Sequence, residues 1–257
     1  MSPDIPLFSI SNLVKIFSPG GGVAIPALSG INLDIYAGEC LLISGANGSG
    51  KTVLMLILAG LMDPDEGELL FQGRPLNATL GELRRRLGLV FQDADAQMVG
   101  ETVAEDIAFG PKNLGFAKAV VEERVRETLE ALGLTDMRDR PPRNLSGGEK
   151  RRLAVAGILA MGCETIIMDE PFANLDWPGV VQVLEIVRQL KREGKTVILL
   201  THELEKVLAF ADRLVILDRG IIREDGKPAE VLDRLKDEYG VRDPRKSYGT
   251  VEDCTWL

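Results

Sequence analysis

Residues 7–17, LFSISNLVKIF, alternate roughly between apolar and polar positions, as a strand with one buried face does. A second short stretch, INLDI at 31–35, follows the glycine turn SPGGG at 18–22. The pair predicts an antiparallel β region near the N-terminus. The pattern then changes to short apolar runs closed by glycine or a polar residue. CLLISG (40–45) and LGLVFQ (87–92) are predicted to be buried strands, the second ending at Gln92, with a helix starting near Lys51 and a strand and turn at ELLFQG (68–73). Residues 118–132, KAVVEERVRETLEAL, set Val121, Val125, Leu129 and Leu132 on one helical face with charge opposite. Pro141–Pro142 interrupts structure, and another helix is predicted from Ser146. Residues 93–165 are therefore expected to form a mainly helical lobe.

Strand and helix then alternate. TIIMDE (165–170) and TVILLT (196–201) are predicted strands. Val180, Val183, Leu184, Val187 and Leu190 mark the helix between them, and a further helix is expected through Ala209. Residues 213–226 suggest a hairpin turning at Arg219–Gly220. Strands joined by helical crossovers imply an α/β fold with a mostly parallel sheet covered by helices. From about residue 236 the chain is polar and predicts no element.

Composition narrows the function classes. The formal charge of -9 argues against a nucleic-acid partner, which asks for a basic surface; Arg84, Arg85 and Arg86 are the one local basic cluster. Cys40, Cys163 and Cys254 have neither metal-ligand nor disulfide-framework spacing, so reduced thiols are expected. No signal peptide is evident in MSPDIPLFSI. The longest apolar run, VLMLILAGLM (53–62), is too short to span a bilayer. The chain is expected not to be a membrane protein itself, which leaves docking on one open.

The candidate chemistry starts at GANGSGKT (45–52), which fits the phosphate-loop spacing of Gly, four residues, Gly, Lys, Thr. Glycines let backbone N–H groups face one point, and the following helix adds its unpaired N–H groups and positive end. Lys51 can reach β- and γ-phosphates, and Thr52 can offer its hydroxyl to Mg²⁺. An apolar strand before the motif and an apolar helix after it supply the context the motif requires. Such a site needs a carboxylate at the end of a neighbouring strand, and Asp169 is predicted to hold Mg²⁺ directly or through water. Glu170 points to another side and can act as general base toward the attacking water. His202, the one histidine of the chain, follows the strand TVILLT and is expected to contact the γ-phosphate. Gln92 is expected at the same mouth as a Mg²⁺ or water ligand.

LSGGEKRR (145–152) reads first as a helix start, with Ser146 and Glu149 spaced as a capping box. Gly147 and Gly148 weaken that first turn, which makes sense if bare N–H groups approach an anion. Since the phosphate loop has its own lysine, this second anion-seeking turn suggests a phosphate bound by another copy of the chain.

Taken together, the sequence resembles the ATPase subunits of ATP-binding cassette (ABC) transporters. The resemblance rests on GANGSGKT, Gln92, LSGGEK (Glu149 standing where many members have glutamine), IIMDEP, Asn174–Asp176 and His202 in family order, and covers about residues 5–230. Within the family, residues 90–115 and LSGGEKRRLAVAGILAM are most similar to energy-coupling factor ATPases, which serve importers of vitamins and of cobalt or nickel ions.

The resemblance implies one ATPase domain over 1–235, a short tail over 236–257, and ATP with Mg²⁺ as ligands. ATP would lie between one subunit's phosphate loop, including Gly45, Asn47, Gly48, Ser49, Gly50 and Val53, and the other subunit's Ser146, Gly147 and Gly148. Asp176 would communicate across the interface, and Phe17 would stack on adenine. The dimer is either of identical or of related subunits, seated on the cytoplasmic face of the membrane with a transmembrane coupling protein and a substrate-binding component. Catalysis would fall to Glu170, His202, Lys51 and Gln92. Val53 and Trp177 depart from common family residues without removing a ligand. The alternatives are an ATPase of another ABC transporter class, in efflux or lipid handling, a soluble ABC ATPase of repair or translation, and a non-catalytic nucleotide-binding module. Repair members need a long coiled-coil insertion and translation members usually carry two cassettes; neither is present.

Overall fold

The computed structural model describes residues 5–18, 20, 22–93 and 95–246. The first four residues, two residues of the SPGGG turn, Ala94, Cys254 and the end of the polar tail lie outside the described residues. Two sheets organise the chain. The first has the order β2 (Ile25–Ile35), β1 (Phe8–Phe17), β4 (Glu66–Phe71), β5 (Arg74–Pro75), with antiparallel pairings. The second runs β10 (Ile221–Gly226), β9 (Arg213–Asp218), β3 (Cys40–Ser44), β8 (Thr196–Leu200), β7 (Thr165–Asp169), β6 (Leu87–Val90). All its pairings are parallel except the β9–β10 hairpin.

The central strands are apolar on both faces, and the reason is visible in their alternation. Cys40, Leu42, Ile166, Met168, Val197 and Leu199 join one core. Helices α3 (Val103–Asn113), α4 (Lys118–Ala131), α5 (Gly147–Met161) and α6 (Trp177–Arg192) supply much of the rest of it. Leu41, Ile43, Ile167, Ile198 and Leu200 point the other way, toward α1 (Lys51–Leu58) and the first sheet. A half-buried sheet would alternate with polar residues; a sheet covered on both sides does not. Each fully buried Leu or Ile contributes about 1.5–3 kcal/mol, so the two cores fix the register of β3, β7 and β8. That register brings Ser44, Asp169 and Leu200, the last residues of these strands, to one edge.

Several details depart from the sequence pattern. Helix α2 (Leu76–Arg86) was not anticipated; it buries Leu76, Thr79 and Leu83. The basic cluster forms its last turn, where positive charge suits the helix dipole, and Arg86 pairs with Glu82 and Glu164. Strand β6 stops at Val90, so Gln92 lies beyond the strand it was expected to end. The side chain of Gln97 takes over there, accepting from Phe91 N–H and donating to Leu89 O, both at 2.9 Å. Helix α7 (Leu204–Val207) is a single turn followed by a 3-10 turn at 208–210. The hairpin turns at Arg219–Gly220, with φ of 48° and 75°. Beyond α8 (Pro228–Arg234), Tyr239 and Val241 pack into the first core. Cys40 and Cys163 are buried free thiols, pushed up to about 12 and about 11 by desolvation, and so inert.

Candidate functional site

The phosphate loop joins β3 to α1. Gly50 caps the helix at φ 107°, and a Cβ there would meet Ala27 O at 2.6 Å; at Gly45 it would meet Leu217 O at 2.0 Å. The loop is packed this closely because the β9–β10 turn braces it, Gly220 N–H donating to Ser49 O at 2.9 Å. Lys51, at the first position of α1, is 6% exposed. Its Nζ donates to Gly45 O at 2.8 Å and Ala46 O at 3.2 Å, and lies 3.7 Å from Glu170 Oε1. Desolvation pushes the ammonium below its ordinary range, against the pull of Glu170 and Asp169.

One strand end, that of β7, delivers both carboxylates. Asp169, the last residue of β7, accepts a hydrogen bond from Thr52 Oγ1 at 2.7 Å on Oδ2. Its Oδ1 is buried without a hydrogen-bond partner. Burial raises its pKa above the usual carboxylate value, the Thr52 bond opposing this. An orphaned, buried carboxylate oxygen beside a threonine hydroxyl fits a hard cation with oxygen ligands. Among the described residues no cluster of three or more His, Cys, Asp or Glu side chains forms a metal cage. A cation at Asp169 would thus take its other ligands from phosphate oxygens and water.

Glu170 leaves the strand with φ 44°, unusual for a residue with a side chain and a sign of local strain at a site. Its N–H bonds Leu200 O at 2.8 Å. Oε2 accepts from the Thr201 hydroxyl at 2.9 Å, and Oε1 lies 3.0 Å from His202 Nδ1. Residues 201 and 202 follow β8, which pairs with β7, so sheet register alone brings these groups together. A carboxylate held at both oxygens beside a phosphate loop can accept a proton from water in a fixed direction.

The remaining candidates sit elsewhere. Ser146 caps α5, accepting Glu149 N–H at 3.3 Å while Glu149 accepts Ser146 N–H at 2.6 Å, a complete capping box. That backbone bond, first among its contacts, holds Glu149 below the usual range. Gly147 has room for a Cβ within the chain, its nearest neighbour being the Leu175 side chain at 3.5 Å. Internal packing therefore does not require glycine there. Ser146, Gly147, Gly148 and Asp176 line a cavity of about 370 Å³ that includes none of residues 45–52. Asp176 itself caps α6, accepting from Gly179 N–H at 3.0 Å. Gln92 lines a neighbouring cavity with Gly147, Arg151 and Asn174. Phe17 is a partly exposed strand end, with Lys15 Nζ 5.8 Å from its ring centroid. Val53 packs partly buried against the second core, and Asn47, Gly48 and Ser49 complete the loop.

Residues 28–173, which carry the phosphate loop, the Ser146 turn and both carboxylates, match the family described as ABC transporter. The chain belongs to this family. It is an ATP-hydrolysing subunit of the energy-coupling factor importer type. It is 43% identical over 208 residues to the energy-coupling factor transporter ATP-binding protein EcfA of Methanocaldococcus jannaschii, covering 80% of this chain and 75% of the relative. Against the cobalt import ATP-binding protein CbiO of Rhodobacter capsulatus the identity is 42%, over 88% and 81%. The solved structure of cbiO1 from Clostridium perfringens, part of the ABC transporter complex cbiONQ, superposes with a TM-score of 0.79 at 32% identity, over 90% of this chain and 92% of that one.

The sequence pattern missed two residues of this ABC ATPase. Thr201 is fully buried against Glu170; a polar residue ending an apolar strand just before His202 was the available signal. Arg151, to which the sequence pattern assigned no place in the site, is 3% exposed and donates to Phe91 O and Gln92 O.

Proposed function

We propose that this ABC ATPase binds MgATP at the phosphate loop and hydrolyses it to drive uptake of a vitamin or a cobalt or nickel ion through membrane partners. The observation that carries the reading is the convergence of Thr52–Asp169 and Glu170–Thr201–His202 on the phosphate loop. Lys51 exchanges its bonds to Gly45 O and Ala46 O for β- and γ-phosphate oxygens. Thr52, Asp169 and Gln92 would hold Mg²⁺, which would offset charge on the phosphates. Glu170 accepts a proton from water as the water oxygen bonds the γ-phosphorus and the bond to ADP breaks. His202 holds the γ-phosphate end, and Phe17 stacks on the base.

The subunit acts as a dimer. Gly147 and Gly148 offer N–H groups, and Ser146 its side chain, away from their own phosphate loop, so a second subunit's ATP is the anion they serve. Asp176 and Asn174 lie in the same rim, next to Trp177, which is 78% exposed. An indole this exposed at a site rim marks a contact surface.

The cleft between α3, α5 and the β6 end takes a helical segment of the membrane coupling protein, at the cytoplasmic face. It measures about 310 Å³ and exposes Leu61, Val99 and Phe109 beside Gln97, which anchors the segment leading to Gln92. No described helix is long and apolar enough to cross a membrane.

Glu170→Gln tests the chemistry: turnover falls by about 100-fold or more while ATP binding is retained. Unchanged turnover would remove Glu170 as base. Copurification from native membranes in mild detergent tests the importer assignment, and recovery of the chain without any membrane component would refute it.

A further inference from the structure

Among the described residues Arg151 is the one buried guanidinium, and the reaction above does not use it. It lies five residues after Ser146 on α5, and the capping box makes that start of the helix rigid. Its Nη1 donates to Phe91 O at 2.5 Å and its Nη2 to Gln92 O at 2.9 Å, while Nε has no partner. Burial pushes the group below its usual range, with Asp93 and Asp169 as the compensating charges. Burying a guanidinium is costly, and α5 could pack here with an apolar residue. A planar fork aimed at two successive carbonyls does something an apolar residue cannot: it fixes the backbone of residues 91–92 in position and direction.

The neighbouring contacts have the same target. Lys150 Nζ lies 2.6 Å from Asp95 Oδ1, and Gln97 holds Phe91 N–H and Leu89 O from the other side. Gln92, Gly147, Arg151 and Asn174 line one cavity of about 430 Å³.

We propose that Arg151 is a positioning residue that makes Gln92 move with the Ser146 turn. In the dimer the turn binds the partner's ATP, whereas Gln92 serves the subunit's own ATP. Arg151 thereby links the two composite sites within one subunit: Gln92 reaches its working position when the turn has closed on the partner's nucleotide. The inference rests on the roles of Gln92 and the Ser146 turn given above.

The test uses the full chain with its cognate partners, in Arg151→Lys and Arg151→Gln. Lysine keeps the charge but cannot fork to two carbonyls. Both variants should lower kcat about 10-fold and leave the KM for ATP within about 3-fold. On a Gln92→Ala background the same substitutions should change kcat by less than about 2-fold, because the positioned group is gone. Amide exchange across residues 91–97 should speed up at least about 5-fold in both variants. An undiminished effect on the Gln92→Ala background, or full activity of Gln92→Ala itself, overturns the link. Wild-type exchange across 91–97 overturns the anchor. A wild-type chain that hydrolyses no ATP refutes the functional reading, and the exchange measurement still decides the anchor.

Discussion

Thr201→Val isolates the contact that orients Glu170. The Thr201 side chain is fully buried, and its hydroxyl accepts from Glu203 N–H at 3.1 Å while donating to Glu170 Oε2 at 2.9 Å. The first bond occupies the oxygen, so the proton is directed at the carboxylate. Valine keeps the shape and removes both bonds. Losing a hydrogen bond to a charged group costs about 1.5–3 kcal/mol, and the Glu203 N–H adds roughly 0.5–1.5. At about 2–4 °C per kcal/mol for a chain of this size, the melting temperature should fall by about 4–18 °C. Glu170 would retain His202 at one oxygen and lose its direction at the other, so kcat should drop about 10- to 100-fold. The Thr201 hydroxyl bonds Glu170 and Glu203 rather than the phosphate loop, and the KM for ATP should change little. Steady-state ATPase and thermal unfolding measure both effects. Thr201→Ser keeps the hydroxyl and should restore kcat to within about 3-fold while losing about 1 kcal/mol of packing. A kcat for Thr201→Val within about 2-fold of wild type, or a serine variant as slow as the valine one, would refute the argument.

Asp169 gives a pH prediction with a definite sign. Burial raises its folded-state pKa, so on acidification the folded chain takes up this proton before the unfolded chain does. Its destabilising contribution is thus full at neutral pH and is relieved as pH falls through the folded value. Asp169→Asn, melted without nucleotide, should gain most over wild type near pH 7 and lose that advantage by about pH 4, while no longer gaining stability from MgATP; a pH-independent difference would sink the assignment. Phe109→Asp, in the α3 cleft, should weaken recovery of the membrane partner by about 10- to 100-fold and leave ATP binding intact; pull-down from detergent extracts reads this, and unchanged recovery would move the docking surface elsewhere.

The parallel sheet and its site were largely legible because both depend on short local patterns. A strand buried on two faces is an uninterrupted apolar run, and TIIMDE and TVILLT carry the polar residues of the site directly after such runs. Once β7 and β8 are adjacent, Asp169, Glu170 and His202 have to meet, and they do. Helix α2 was less legible because its apolar positions, Leu76, Leu80 and Leu83, are few and one glycine interrupts them. The arginine triplet drew attention to charge when its burial-relevant neighbours were the leucines.

Arg151 was missed for a different reason. Its side chain leaves a helix face that carries Lys150 and Arg152 as close neighbours, so local pattern assigns all three to solvent. What buries it is the early end of β6, which leaves two carbonyls at Phe91 and Gln92 without strand partners. A backbone segment that exits a sheet inside the protein must find donors, and the sequence contains no local sign of where they come from. Residues that bind substrate stand at strand ends and helix starts, where sequence displays them. Residues that set how those groups move together are drawn from distant elements and become visible only through the unpaired backbone they satisfy. In this ATPase the phosphate loop was therefore readable from the chain, and the guanidinium that anchors residues 91–92 was not.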